Sequence, residues 1–204
     1  MKPGLVIAAA LLCALPARGE SPAPSAYAID ALTQIDGLPT AASLADAFAP
    51  APALDDLVVL ALNADRTVDV GVQLRAIHAL PTFCPAGLAN RAACGAGTVV
   101  HDTLIQIIDV QQRSQHAPQD VLALRAAVEA LGATRSGLGS DVTELIPLLG
   151  DGSRDVRATV ARALHDICNM QAKAPLQARY SMEPVLQVRL EISNAIQDLG
   201  QCAD

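Results

Sequence analysis

The chain has 204 residues, of which 51% are hydrophobic, 17% charged and 2% aromatic, and its formal net charge is −7. That is enough apolar material for one domain with a continuous core, while an acidic balance without a basic run argues against a nucleic-acid partner. With two Phe, two Tyr and no Trp, the core must be filled by Ala, Leu, Val and Ile, a mixture that favours closely packed helices over a sheet.

The first 19 residues, MKPGLVIAAALLCALPARG, carry one Lys near the start, an apolar run from Leu5 to Leu15, and small Ala17 and Gly19 before Glu20. This order predicts a secretory signal peptide, too short for a membrane span. Leu12 stands where a lipidation signal at Cys13 needs a small residue. Without these residues, which hold two bases and no acid, the net charge is −9. The chain therefore reads as exported, periplasmic or secreted. Four cysteines remain, Cys84, Cys94, Cys168 and Cys202, and an even number in an exported chain reads as two disulfides. Residues 20–53 read as a flexible leader followed by an N-terminal helical cap built from the apolar stretches 26–35 and 41–48.

From residue 54 onward the chain repeats itself. Four nine-residue windows align: VQLRAIHAL from Val72, ALRAAVEAL from Ala123, VRATVARAL from Val156 and VRLEISNAI from Val188. In the third, Val156, Val160, Ala163, Leu164 and Ile167 share one helical face; Val188, Ile192, Ala195, Ile196 and Leu199 do so in the fourth, and Val72, Ala76, Ala79, Leu80 and Phe83 in the first. Apolar helices are expected ahead of the windows at 54–63, 98–110 and 140–150, with only the short PLQARYS ahead of the fourth. Ser140 is positioned to cap the third of these, and GDGSRD makes the turn before Val156, with Ser153 or Asp155 as cap.

The order L-x-x-L-L-x-D, then D-V-R, then A-L, resembles HEAT repeats over about residues 54–200, best in LIPLLGDGSRDVRATVARAL at 145–164. The resemblance implies an all-α fold: a short right-handed α-solenoid of about four HEAT-like helix pairs, covering 54–204, behind the N-terminal helical cap. A kinking Pro in the first helix, here Pro147, fits. The interval from Leu80 to Leu131 is longer than the later ones, which places a Cys-bearing insertion at 81–97, a loop of the kind that carries function in repeat proteins. In such a stack Cys84 and Cys168 hold equivalent places two repeats apart, about 20 Å at 8–10 Å per helix, too far for a bond. A Cys84–Cys202 bond would span three repeats and is worse, so the pairs Cys84–Cys94 and Cys168–Cys202 are expected.

Two clusters invite a catalytic reading. Asp151, Asp155, Arg157, Arg162, His165 and Asp166 would make an acid–base group. Asp69, Asp120 and Asp155, however, precede three windows, and Arg157 and Arg189 share one window position. The resemblance implies a ladder in which turn Asp and Arg pair between neighbouring repeats. His101-Asp102 and His165-Asp166 resemble the His-Glu pairs of di-iron hydroxylases built on HEAT repeats, but their placement in the helices differs. No i, i+3 or i, i+4 His pair, Cys-x-x-Cys, G-x-S-x-G or phosphate loop occurs, so the sequence calls for no metal, cofactor or catalytic residue. His78 and His116 read as surface or loop residues.

These readings converge on an exported, non-catalytic protein-binding module or scaffold. Its ridge of second helices presents Gln73, Arg125, Arg157 and Arg189 to another protein, with the 81–97 loop beside it. The alternative is an enzyme or enzyme-helper of the HEAT-like lyase type, which needs an apolar pocket with converging polar groups around a small ligand.

Overall fold

The structure, a computed structural model, describes residues 26–33, 37, 39–49, 52–84, 94–114 and 117–202. The expected signal peptide, the start of the leader, most of the 81–97 insertion and His116 lie outside the described residues. Those described fold into ten α-helices with short 3₁₀ turns and no strand. In chain order they are α1 (Ala26–Thr33), α2 (Ala41–Phe48), α3 (Ala53–Leu62), α4 (Val70–Ala79), α5 (Val99–Arg113), α6 (Pro118–Ala133), α7 (Gly139–Leu145), α8 (Arg154–Ile167), α9 (Lys173–Met182) and α10 (Leu186–Asp198).

Six of the ten helices start or stop for a plain local reason. Thr40, Thr98 and Ser153 accept hydrogen bonds from the third backbone N–H downstream, and so cap α2, α5 and α8. Asp69 accepts from the Gly71 N–H at the head of α4. Pro118 opens α6, where its missing N–H costs nothing. Pro147 tightens the end of α7 into the 3₁₀ turn Ile146–Gly150. Ser140 is not a cap: α7 begins one residue earlier, at Gly139, and the Ser140 hydroxyl donates to Asp141 instead. The weak fourth unit has a full first helix, α9, which is longer than PLQARYS.

The helices pack as consecutive pairs, α3 on α4, α5 on α6, α7 on α8 and α9 on α10, and the second members touch in sequence, α4 to α6, α6 to α8 and α8 to α10. At the N-terminal end α1 packs on α2 and α4, and α2 on α3. The window faces form the core: Val156, Val160, Ala163, Leu164 and Ile167 are all at most 1% exposed. Phe83 and Ile196 are only half-buried. Phe83 falls in the 3₁₀ turn after α4, where the 3.6-residue phase is lost. Alanines and one glycine bring the second helices close: a Cβ on Gly132 would sit 2.8 Å from the Ala163 Cα, so α6 and α8 touch backbone to backbone there.

Candidate functional site

The turn between α3 and α4 forms one wall of a cleft of about 350 Å³, closed by the C-terminal half of α5 and the first turns of α6. Its shape comes from two residues in the left-handed region, Asn63 at φ 40° and Arg66 at φ 58°, conformations that non-glycine residues adopt at a cost. Asn63 repays part of that cost. Its side chain accepts from the Val68 N–H and donates to the Val68 carbonyl, both at 3.0 Å. Gln73, one turn into α4, donates to the Ala61 carbonyl at 3.1 Å and receives the Asn63 amide at 3.4 Å. Asp65 closes the tip by accepting from the Thr67 N–H and hydroxyl, bonds that hold its carboxyl below the ordinary aspartate range.

With Asn63 and Gln73 committed to the turn, the groups left to meet a ligand are Arg66, Gln111, Gln119 and Asp120, between the apolar Leu62, Val68, Val70 and Val110. Arg66 reaches across from the turn to donate to Asp120 at 3.3 Å, and only the aspartate is buried. Gln111 contributes a buried carbonyl oxygen with no hydrogen-bond partner among the described residues. A second hollow, lined by Leu62, Ala64, Gln106, Ile107, Val110 and Gln111, continues along α5. Val110, 51% exposed, lines both.

The four residues expected on an exposed ridge do not form one. Gln73 and Arg157 are 7% and 6% exposed, and Arg125 and Arg189 are half-buried. At Gln73 and Arg157 the second window position points back at the turn rather than out to solvent. Arg157 donates to the carbonyls of Asp151 and Gly152 at 2.8 and 3.2 Å, much as Gln73 donates to Ala61, and makes a fork to both oxygens of Glu183 at 2.8 Å. Arg179 and the Val185 N–H add to Glu183. Led by the Arg157 bonds, these hold its carboxyl down at about 2. Arg125 keeps a buried, unpartnered Nε among the described residues.

The expected ladder of turn Asp and Arg is therefore redrawn. Links between neighbouring pairs run Arg66–Asp120 and Arg157–Glu183. Asp155 sits exposed in the first turn of α8, nearest Arg154, and Asp69 caps α4. Arg162 approaches Glu191 on α10 at 3.9 Å, and His165 lies 3.3 Å from Asp166 and 3.9 Å from Asp198. Arg157, Arg162 and His165 of the apparent acid–base cluster thus tie α8 to its neighbours, while Asp155 and Asp166 lie against residues of α8 itself. His78 is half-buried, and burial holds its imidazole below the ordinary range.

One polar cluster shows in the sequence only as the pair His101-Asp102, without its partners across the fold. His101 on α5 lies with Nδ1 3.0 Å from Asp102 and Nε2 3.0 Å from Asp141, which is fully buried at the start of α7. Asp141 also accepts from Ser136 and Ser140. Both ring nitrogens face carboxylates and both serines donate to Asp141, so no hydroxyl is hydrogen-bonded to the imidazole as a nucleophile would need to be. The cluster joins α5 to α7. Among the described residues no group of three or more His, Cys, Asp or Glu is placed to hold a metal ion, and no helix is long and apolar enough to cross a membrane.

The four cysteines lie in two bonded pairs, Cys84–Cys94 and Cys168–Cys202, each with a Cα–Cα separation of 5.5 Å. The second joins the left-handed C-cap of α8 to the end of the turn after α10. No family model, curated relative or solved structure matches the chain. The functional conclusion therefore rests on the cleft and the clusters above.

Proposed function

We propose that the chain is an exported, non-catalytic protein-binding module built as an α-solenoid of HEAT-like helix pairs, and that it holds its partner in the cleft between the first two pairs. The solenoid reading is supported by the unbroken series of second-helix contacts from α4 to α10. Export is supported by the signal-like N-terminus and the two cysteine pairs, which suit an oxidising compartment. The observation that carries the binding reading is the chemistry of the cleft wall: Gln111, Gln119, Arg66 and Asp120 flank a floor of valines without an aromatic. Side-chain amides beside small apolar residues match an extended peptide, whose backbone offers an N–H and a carbonyl at each residue.

The cleft also favours a second reading. Polar groups converging on an apolar hollow of this size are what a HEAT-like lyase, or a helper that carries a small ligand, requires. One variant separates the two. Val110→Glu places a charge in the cleft at an exposed position and leaves the fold intact. Cross-linked capture from an exported fraction should yield a protein partner with the parent chain and lose it with Val110→Glu. A small molecule found by native mass spectrometry, displaced by the same substitution and with no protein captured, would establish the second reading instead.

A further inference from the structure

Resting on the binding reading above, we infer that the partner segment taken by the cleft is basic: a lysine or arginine of it replaces Arg66 on the buried carboxylate of Asp120. Asp120 lies in the first turn of α6 on the wall of the cleft, with its side chain 8% exposed. A carboxylate so far out of water needs a counter-charge. Among the described residues its one ion-pair partner is Arg66, which makes a single 3.3 Å contact to one oxygen while its own side chain stays 65% exposed. The two charges are placed unequally. The acid is built into the wall, and the base reaches over it from a turn open to solvent. A pair with one member so exposed holds weakly, and Arg66 loses little by swinging back into water when another cation takes its place.

Charge selects a basic occupant over an acidic one. The segments that build the cleft, 62–70, 106–113 and 118–123, hold four acids, Asp65, Asp69, Asp109 and Asp120, against two bases, Arg66 and Arg113. Arg113 is drawn along α5 to Asp109 at 3.6 Å. The whole chain carries a formal −7, so its field draws a basic segment in and turns an acidic one away. An acid taken by Arg66 would also stand beside the buried Asp120, like charge against like. A lysine or arginine brings, besides its charge, an apolar stem that gains from cover, and Val68 and Val70 line the same cleft.

Selection from a library of random peptides about seven residues long displayed on phage, with the disulfide-bonded chain as bait, tests the inference. The enriched peptides should carry Lys or Arg, and one of them, made synthetically, should bind with an affinity that falls as salt rises. Asp120→Asn should weaken that binding at least about tenfold, as loss of a charge-assisted hydrogen bond does. Arg66→Asn should tighten it severalfold, because nothing then competes for the carboxylate; asparagine tolerates the left-handed turn. Val110→Trp fills the cleft without changing its charge and should abolish binding. Peptides that Val110→Trp displaces but that are acidic or uncharged, or that Asp120→Asn leaves bound, overturn the basic partner and leave the cleft as the binding site. Weaker binding by Arg66→Asn does the same. No enriched peptide, or peptides that Val110→Trp leaves bound, overturns the inference together with the reading it rests on.

Discussion

Glu183 shows how much one buried side chain can decide. It is 2% exposed and takes both Arg157 and Arg179, so Glu183→Gln leaves a buried guanidinium without its counter-charge and should cost about 3–5 kcal/mol in denaturant unfolding. The same contact sets an acid limit. Folding lowers the carboxyl from 4.5 to about 2, so between those values the unfolded chain binds more protons. The stabilisation, of order 3 kcal/mol, is complete above pH 4.5 and disappears as pH falls to 2; parallel acid titrations of the parent chain and Glu183→Gln should converge there. His101 is the second such residue. His101→Ala removes one of three partners of a fully buried aspartate and should cost about 2–3 kcal/mol, against a sequence reading that gives it no role; an unchanged melting curve would refute this. That reading falls short because His101 meets Asp141 40 residues away, at a distance no local pattern encodes. Arg157 was legible as a structural residue from its recurrence, but its acceptor was not, since Glu183 lies beyond the window and outside the turn Asp pattern.

Apart from α9, of which only the short PLQARYS was expected, the helices were plain in the sequence, because apolar residues at 3.6-residue spacing must share one buried face whatever they pack on. What the spacing cannot show is closeness of approach. Gly132 carries that information: a methyl there would meet the Ala163 backbone at 2.8 Å. In an isolated helix Gly→Ala gains about 1 kcal/mol, but here the clash between α6 and α8 should outweigh it. The expected result is a net loss of about 1–3 kcal/mol by thermal or denaturant unfolding, and a stabilised variant would mean that the two helices pack less tightly than described. The cleft was hidden for a related reason. Its walls come from three separate segments, and the bend that shapes it rests on left-handed Asn63 and Arg66, where no glycine or proline marks the turn.

Among the described residues the helix pairs contact their neighbours in order, so one pair can open while those farther along stay closed. Cys168–Cys202 closes a 34-residue separation across the last pair, worth about 4 kcal/mol of unfolded-chain entropy. Replacing both cysteines by Ser should make hydrogen exchange in α9 and α10 markedly faster while α5 and α6 change little; uniform acceleration throughout would indicate a single cooperative unit instead. On the proposed function, the gap between the first two pairs receives a protein partner. Hydrogen–deuterium exchange of the chain with and without its captured partner measures this directly. Exchange should slow in the α3–α4 turn at 63–70, in the second half of α5 and in the first turns of α6; protection confined to other segments, with these three unchanged, would rule this binding site out.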